Sequence, residues 1–219
     1  MFRKISIIAF LLINTNFIFG QKLKFGVHFD PAVIWLQSDV KDVISNKARL
    51  GFELGLSADY YFTKNYALAT GISLFNTGGT LKYNNGIVLN SKVENKNIIV
   101  NTDDKVLYKI QYIKIPASLK LKTHEIGRFV YFANVGLDLL MRASAKANVN
   151  DDKNLKVNDD IKFFNLGWHF GGGAIYSLGG EASVFGGLSF MNTFTDITKP
   201  EHNSKITSNN LFLCIGVMF

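Results

Sequence analysis

The rhythm of the connections constrains this chain more than any other feature. Short turns are expected at Thr63–Asn65, Thr123–Gly127 and Ser177–Gly180, and long polar segments at Gln37–Arg49, Gly78–Lys105, Arg142–Asp160 and Thr193–Ser208. They alternate long, short, long, short without exception. An up-and-down meander then places four long loops at one end, with the tight turns and both termini at the other. Soluble domains usually keep their connections short, whereas outer-membrane barrels combine short periplasmic turns with long external loops.

The segments between these connections alternate apolar and polar residues with the period of two that marks a β-strand. In "LGFELGLSADYYF" (Leu50–Phe62), Leu50, Phe52, Leu54, Leu56, Ala58 and Tyr60 share one parity, and Gly51, Glu53, Gly55, Ser57 and Asp59 the other. Seven more segments repeat the pattern, beginning near Phe25, Tyr66, Tyr112, Phe129, Phe164, Ala182 and Leu211. The 219-residue chain therefore predicts an all-β, eight-stranded antiparallel up-and-down transmembrane barrel, closed by pairing the first strand with the last. Aromatics gather at strand ends. Tyr60, Tyr61, Phe62, Tyr66, Phe129, Tyr131, Tyr176 and Phe219 lie beside the tight turns, and Trp35, Tyr108 and Phe190 toward the long loops, as two interfacial girdles require. A soluble calycin-like barrel is the competing fold, with its oily parity turned inward. Pro116 falls inside the fourth strand, where a bulge or bend is expected because proline cannot donate to a ladder.

The N-terminus sets the compartment. Arg3 and Lys4 precede the apolar run "ISIIAFLLI" (Ile5–Ile13), and "NTNFIFG" ends in a small residue before Gln21. This order predicts a signal peptide over residues 1–20 and a mature barrel domain over residues 21–219. Loss of Arg3 and Lys4 lowers the formal charge from +7 to +5, spread without a block of like charges, so no nucleic-acid partner is expected. The single cysteine, Cys214, can form no internal disulfide and no zinc motif.

"YIKIPASLKLK" (Tyr112–Lys122) resembles the signature of the PorT-like outer-membrane β-barrel family of Bacteroidetes. The terminal "NNLFLCIGVMF", the Gly20–Gln21 processing site and the "GFELGLSADYYFTKNYALATGISL" hairpin are similar to that group as well. The resemblance implies an outer-membrane location and a link to secretion across that membrane, but it assigns no residue a role.

On this reading His28, Asp30, Glu53, Asp59, Lys114, Lys120, Arg128, Asp138, His169 and Glu181 line the lumen, and Lys24 and Lys122 point inward with them. Both signs are present, and antiparallel register sets Lys114 diagonal to Asp138. An eight-stranded interior is just wide enough for side chains to fill. A plugged lumen is therefore expected over a conducting one. His28 and Asp30 form an H-x-D pair that could orient a general base, yet Ser57 and Ser183 lack a nucleophile-elbow context. No catalytic, metal or cofactor-binding residue is assigned. The glycines of "HFGGGAIYSLGG" are not followed by the Lys-Ser/Thr of a phosphate loop. Three functions stay open: a structural or interaction platform, a small porin-like channel, and a lipid-modifying enzyme, with the platform expected. Its expected partners are outer-membrane lipid, lipopolysaccharide, and envelope or secretion-system proteins. Nothing in the sequence sets an oligomeric state.

Overall fold

The computed structural model describes residues 23–84, 87–91, 96–150, 152–198 and 205–219, with backbone alone for residues 87–91 and 96–99. The expected signal peptide, Asp151 and His202 lie outside these residues. Among the described residues every regular element is a strand: β1 (Leu23–Ser38), β2 (Val43–Lys47), β3 (Arg49–Tyr61), β4 (Tyr66–Tyr83), β5 (Ile87–Ser91), β6 (Lys96–Val100), β7 (Lys105–Lys122), β8 (Phe129–Val149), β9 (Asp152–Lys156), β10 (Phe164–Gly179), β11 (Ala182–Thr193) and β12 (Ile206–Met218).

Eight of these strands form the barrel. The order runs β1, β3, β4, β7, β8, β10, β11, β12 and returns to β1, each pairing antiparallel with the next. Val27 faces Val217 across the closing seam, and Phe219 exchanges two backbone hydrogen bonds of 2.9 Å with Phe25. Closure pairs what would otherwise be two exposed sheet edges, the condition for spanning lipid with strands.

The oily parity faces outward through the body of the barrel. Leu56, Leu137 and Leu188 are 57%, 59% and 58% exposed, within a continuous band of exposed aliphatic and aromatic side chains. A band of that extent on a soluble surface would drive aggregation, whereas in a bilayer it meets hydrocarbon. The calycin-like alternative needs the opposite orientation and is ruled out.

The loop end departs from the sequence expectation. A strand tilted across a membrane needs about 9–11 residues, yet β4 and β7 have 18 each and β8 has 21. Much of the segments expected as loops over 78–105 and 142–160 is therefore strand. Their chemistry is inverted rather than absent. On β7 the inward residues change from Lys120, Ser118 and Lys114 to the buried Tyr112, Ile110, Tyr108 and Val106, while the outward ones change from Ile115 and Ile113 to Gln111, Lys109, Leu107 and Lys105, three of the four polar. Outside the bilayer, water replaces lipid on the outer face, so the oily residues turn inward. A one-residue bulge at Ala143 keeps β8 in step. Gln111 pairs with Ser144 but Tyr112 with Arg142, which switches the inward parity to Ala145, Ala147 and Val149. The small strand β2 joins β4, and β9 joins β8, which widens this external sheet.

Two local expectations are corrected. Tyr108 and Tyr61 do not belong to the girdles; both point inward and are buried, because each falls on the lumen parity of its strand. Of the bulge or bend expected at Pro116, the bulge is excluded, since the register between β4 and β7 is unchanged from Thr70–Ala117 to Ser73–Lys114. The ladder lapses between these pairs instead, and Thr70 Oγ1 donates to the Pro116 carbonyl at 2.8 Å.

Candidate functional site: a charged belt under an apolar plug

Strand register delivers one polar group after another to a single level of the lumen. Asp30 on β1 stands directly opposite Glu53 on β3, a like-charge pair that needs compensation on both sides. On the β1 side, His28 Nδ1 lies 2.7 Å from Asp30 Oδ2, and the Ile215 N–H donates to Asp30 Oδ1 at 3.1 Å. On the other side, Ser73 Oγ donates to Glu53 Oε1 and Lys114 Nζ to Glu53 Oε2, each at 2.6 Å. Lys114 also reaches diagonally to Asp138 at 4.0 Å, and Asp138 Oδ2 meets His169 Nδ1 at 2.9 Å. The belt thus crosses β1, β3, β4, β7, β8 and β10.

Its members are deeply enclosed. Glu53 and Asp138 are 2% and 0% exposed. Burying a carboxylate is costly unless it is paired and hydrogen-bonded. The belt satisfies that condition almost everywhere; of the fully buried side-chain nitrogen and oxygen atoms among the described residues, Asp138 Oδ1 alone lacks a hydrogen-bond partner. The Lys114 ammonium sits between the Phe75 and Phe212 rings, 5.9 and 5.4 Å from their centroids, which adds cation–π attraction. Toward the turns a second pair, Lys120 with Asp59 at 2.6 Å, stands over the Phe132 ring. Beside these groups lies a cavity of about 140 Å³, lined by His28, Glu53, Ser118, Lys120, Asn134 and Cys214 among others.

Arg128 and Glu181 lie outside the belt. Both are exposed residues of the tight turns, because β8 starts at Phe129 and β11 at Ala182. Arg128 donates to the Tyr176 hydroxyl at 3.4 Å, and Glu181 lines the turn-end mouth with Lys24 and Lys122. Lys122 stacks on the Tyr61 ring at 4.2 Å.

His28, Asp30 and Glu53 bring potential metal-ligand atoms within 4.8 Å of one another. Both carboxylates are already engaged, however, and the Lys114 ammonium supplies the positive charge at Glu53. Catalysis by the H-x-D pair would need a nucleophile within reach of His28. Asp30 is its one side-chain hydrogen-bond partner among the described residues.

Above the belt the lumen is filled with apolar side chains, a feature the sequence reading missed. Ile34, Leu36, Phe75, Leu81, Val106, Tyr112, Leu140, Met191 and Phe212 belong to one buried cluster at the loop end. Its polar atoms are matched. The Tyr83 and Tyr108 hydroxyls share a hydrogen bond of 2.8 Å, and Asn165 Nδ2 donates to the Tyr112 hydroxyl at 3.0 Å. Burial, reinforced by the Asp160 carboxylate, pushes the Tyr83 hydroxyl above the usual phenol range, so the pair stays neutral. The signal was present in the sequence as alternation that continues past Gln111 with its chemistry reversed.

A family model described as "Outer membrane protein beta-barrel domain" matches residues 18–207. No curated protein sequence matches the chain. Among solved structures, the outer membrane protein OprG from Pseudomonas aeruginosa is similar with a TM-score of 0.50 and 12% identity over 90% of this chain and 96% of that one. Neisserial surface protein A gives 0.49 and 14% over 89% and 95%. Ail of Yersinia pestis gives 0.46 and 11% over 90% and 99%. At these identities the similarity concerns the fold alone.

Proposed function

Because the chain belongs to the outer membrane protein β-barrel domain family, we propose that it works as a closed interaction platform in the bacterial outer membrane rather than as a pore or an enzyme. The observation that carries this reading is the apolar plug. A water-filled pathway must run from mouth to mouth, and at the loop end this one meets tightly packed Ile34, Leu81, Tyr108, Tyr112 and Phe212. The same cluster supports the external sheet, which stands as a rigid, water-facing surface on the extended β4, β7 and β8. Rigid elements position a binding surface better than free loops do. The solitary His28–Asp30 pair argues against a catalytic role.

The PorT-like resemblance of Tyr112–Lys122 extends the proposal to a partner among envelope or secretion-system proteins. Site-specific photo-cross-linking in intact cells tests it. With the cross-linker at Asp103, which is exposed beside the external sheet, one or a few discrete protein adducts are expected. Adducts to lipid alone would oppose a protein platform.

A further inference from the structure

We propose that the outward face of the external sheet binds the phosphate groups of the outer-leaflet glycolipid, lipopolysaccharide. The inference deepens the platform reading and rests on it for a closed barrel with its long connections outward.

Register carries the argument. Lys109 on β7 stands directly opposite Lys146 on β8, and Lys146 directly opposite Lys156 on β9. Two positions further from the membrane than Leu107, Lys105 on β7 stands opposite Lys82 on β4. Buried Val106, Tyr108, Ala145, Ala147 and Leu155 occupy the inward parity, so these lysines share the outer face. Directly opposed like charges destabilise a sheet, yet here one triple spans β7, β8 and β9 and one further pair joins β4 to β7. Among the described residues little of this charge is neutralised. Asp103 pairs with Lys82 at 2.8 Å, and Lys109 donates to the uncharged Asn154 Oδ1 at 3.1 Å. Among the described residues no carboxylate lies within ion-pair distance of Lys105, Lys109, Lys146 or Lys156.

Position selects the anion. The outward residues of β7 run Ile115, Ile113, Gln111, Lys109, Leu107, Lys105, so the lysine row begins four residues past Ile113, where the unbroken apolar run of the membrane face ends. That is about 13 Å along the strand, or roughly 10 Å along the membrane normal at barrel tilt. The row therefore stands just outside the hydrocarbon, at the height of lipid phosphates. Three ammonium groups on strands about 4.8 Å apart offer several point charges to a multiply phosphorylated headgroup, and lysine binds phosphate in that manner.

The test uses the folded full-length mature protein in detergent. Its probes are lipopolysaccharide with intact lipid phosphates and the same material after chemical dephosphorylation. Tight, salt-weakened binding of the phosphorylated probe is expected, with at least tenfold weaker binding of the dephosphorylated one. The triple variant Lys109→Gln/Lys146→Gln/Lys156→Gln should bind at least tenfold more weakly than wild type with a shallower salt dependence, and Lys64→Gln in a tight turn should bind as wild type does. Without lipopolysaccharide, the triple variant should unfold at the same temperature as wild type or higher, because repulsion has been relieved. Should the triple variant fail to fold, Lys146→Gln alone should still weaken binding at least threefold. Triple-variant binding within twofold of wild type would overturn the proposal, as would equal binding of dephosphorylated material or preference for a soluble sulfated polysaccharide. Failure of the platform reading shows separately, as conductance or as cross-linking to lipid alone.

Discussion

Lys114 serves two carboxylates from one position, so its removal should be felt on both sides. It holds Glu53 at 2.6 Å and is the nearest cation to the unpartnered Asp138 Oδ1 at 4.0 Å. Deleting one member of a buried ion pair costs about 3–5 kcal/mol, because the other charge stays enclosed. Lys114→Met should therefore lower the temperature at which the unboiled, faster-migrating barrel is lost on gels. Adding Glu53→Gln should recover part of the loss. Additive losses in the double variant would show that the two side chains do not interact. The belt residues were readable from parity, since Glu53, Asp59, Lys114, Lys120, Asp138 and His169 all fall on the polar side of their strands. Arg128 and Glu181 misled because parity counted from a strand does not extend into its turn.

At the scale of the element, the long strands carry two chemistries on one parity. Ile34 belongs to the inward face of β1 above the belt and is fully buried in the plug. Ile34→Ala should cost about 2–5 kcal/mol through lost burial and the cavity left behind, measured by urea unfolding in lipid vesicles. A change below about 0.5 kcal/mol would mean that the loop end is not packed. The tolerance for side chains is narrow here. Gly78 has φ of 144°, and a Cβ at that position would collide with the Tyr108 carbonyl oxygen. Strand number, order and closure were legible because lipid-facing alternation is strong and the tight turns are short. The external sheet was not. A rule that treats one parity as oily reads Gly78–Tyr83 and Ala145–Val149 as loop, since there the solvent outside the barrel changes from lipid to water.

For the molecule as a whole, three layers follow one another along the barrel axis. Charged pairs and a small cavity lie within the bilayer, an apolar plug closes the loop end, and a sheet with a lysine-rich outer face stands above it. Each layer follows from what surrounds it: lipid outside forces polar residues into the lumen, and water outside allows an apolar core. The central claim is that the plug seals the lumen. Planar-bilayer recording of the purified, folded protein tests it most directly. The expected result is a flat current at moderate voltage, with no unitary events at protein levels that insert many copies. Discrete, reproducible conductance steps from the wild-type protein would contradict it.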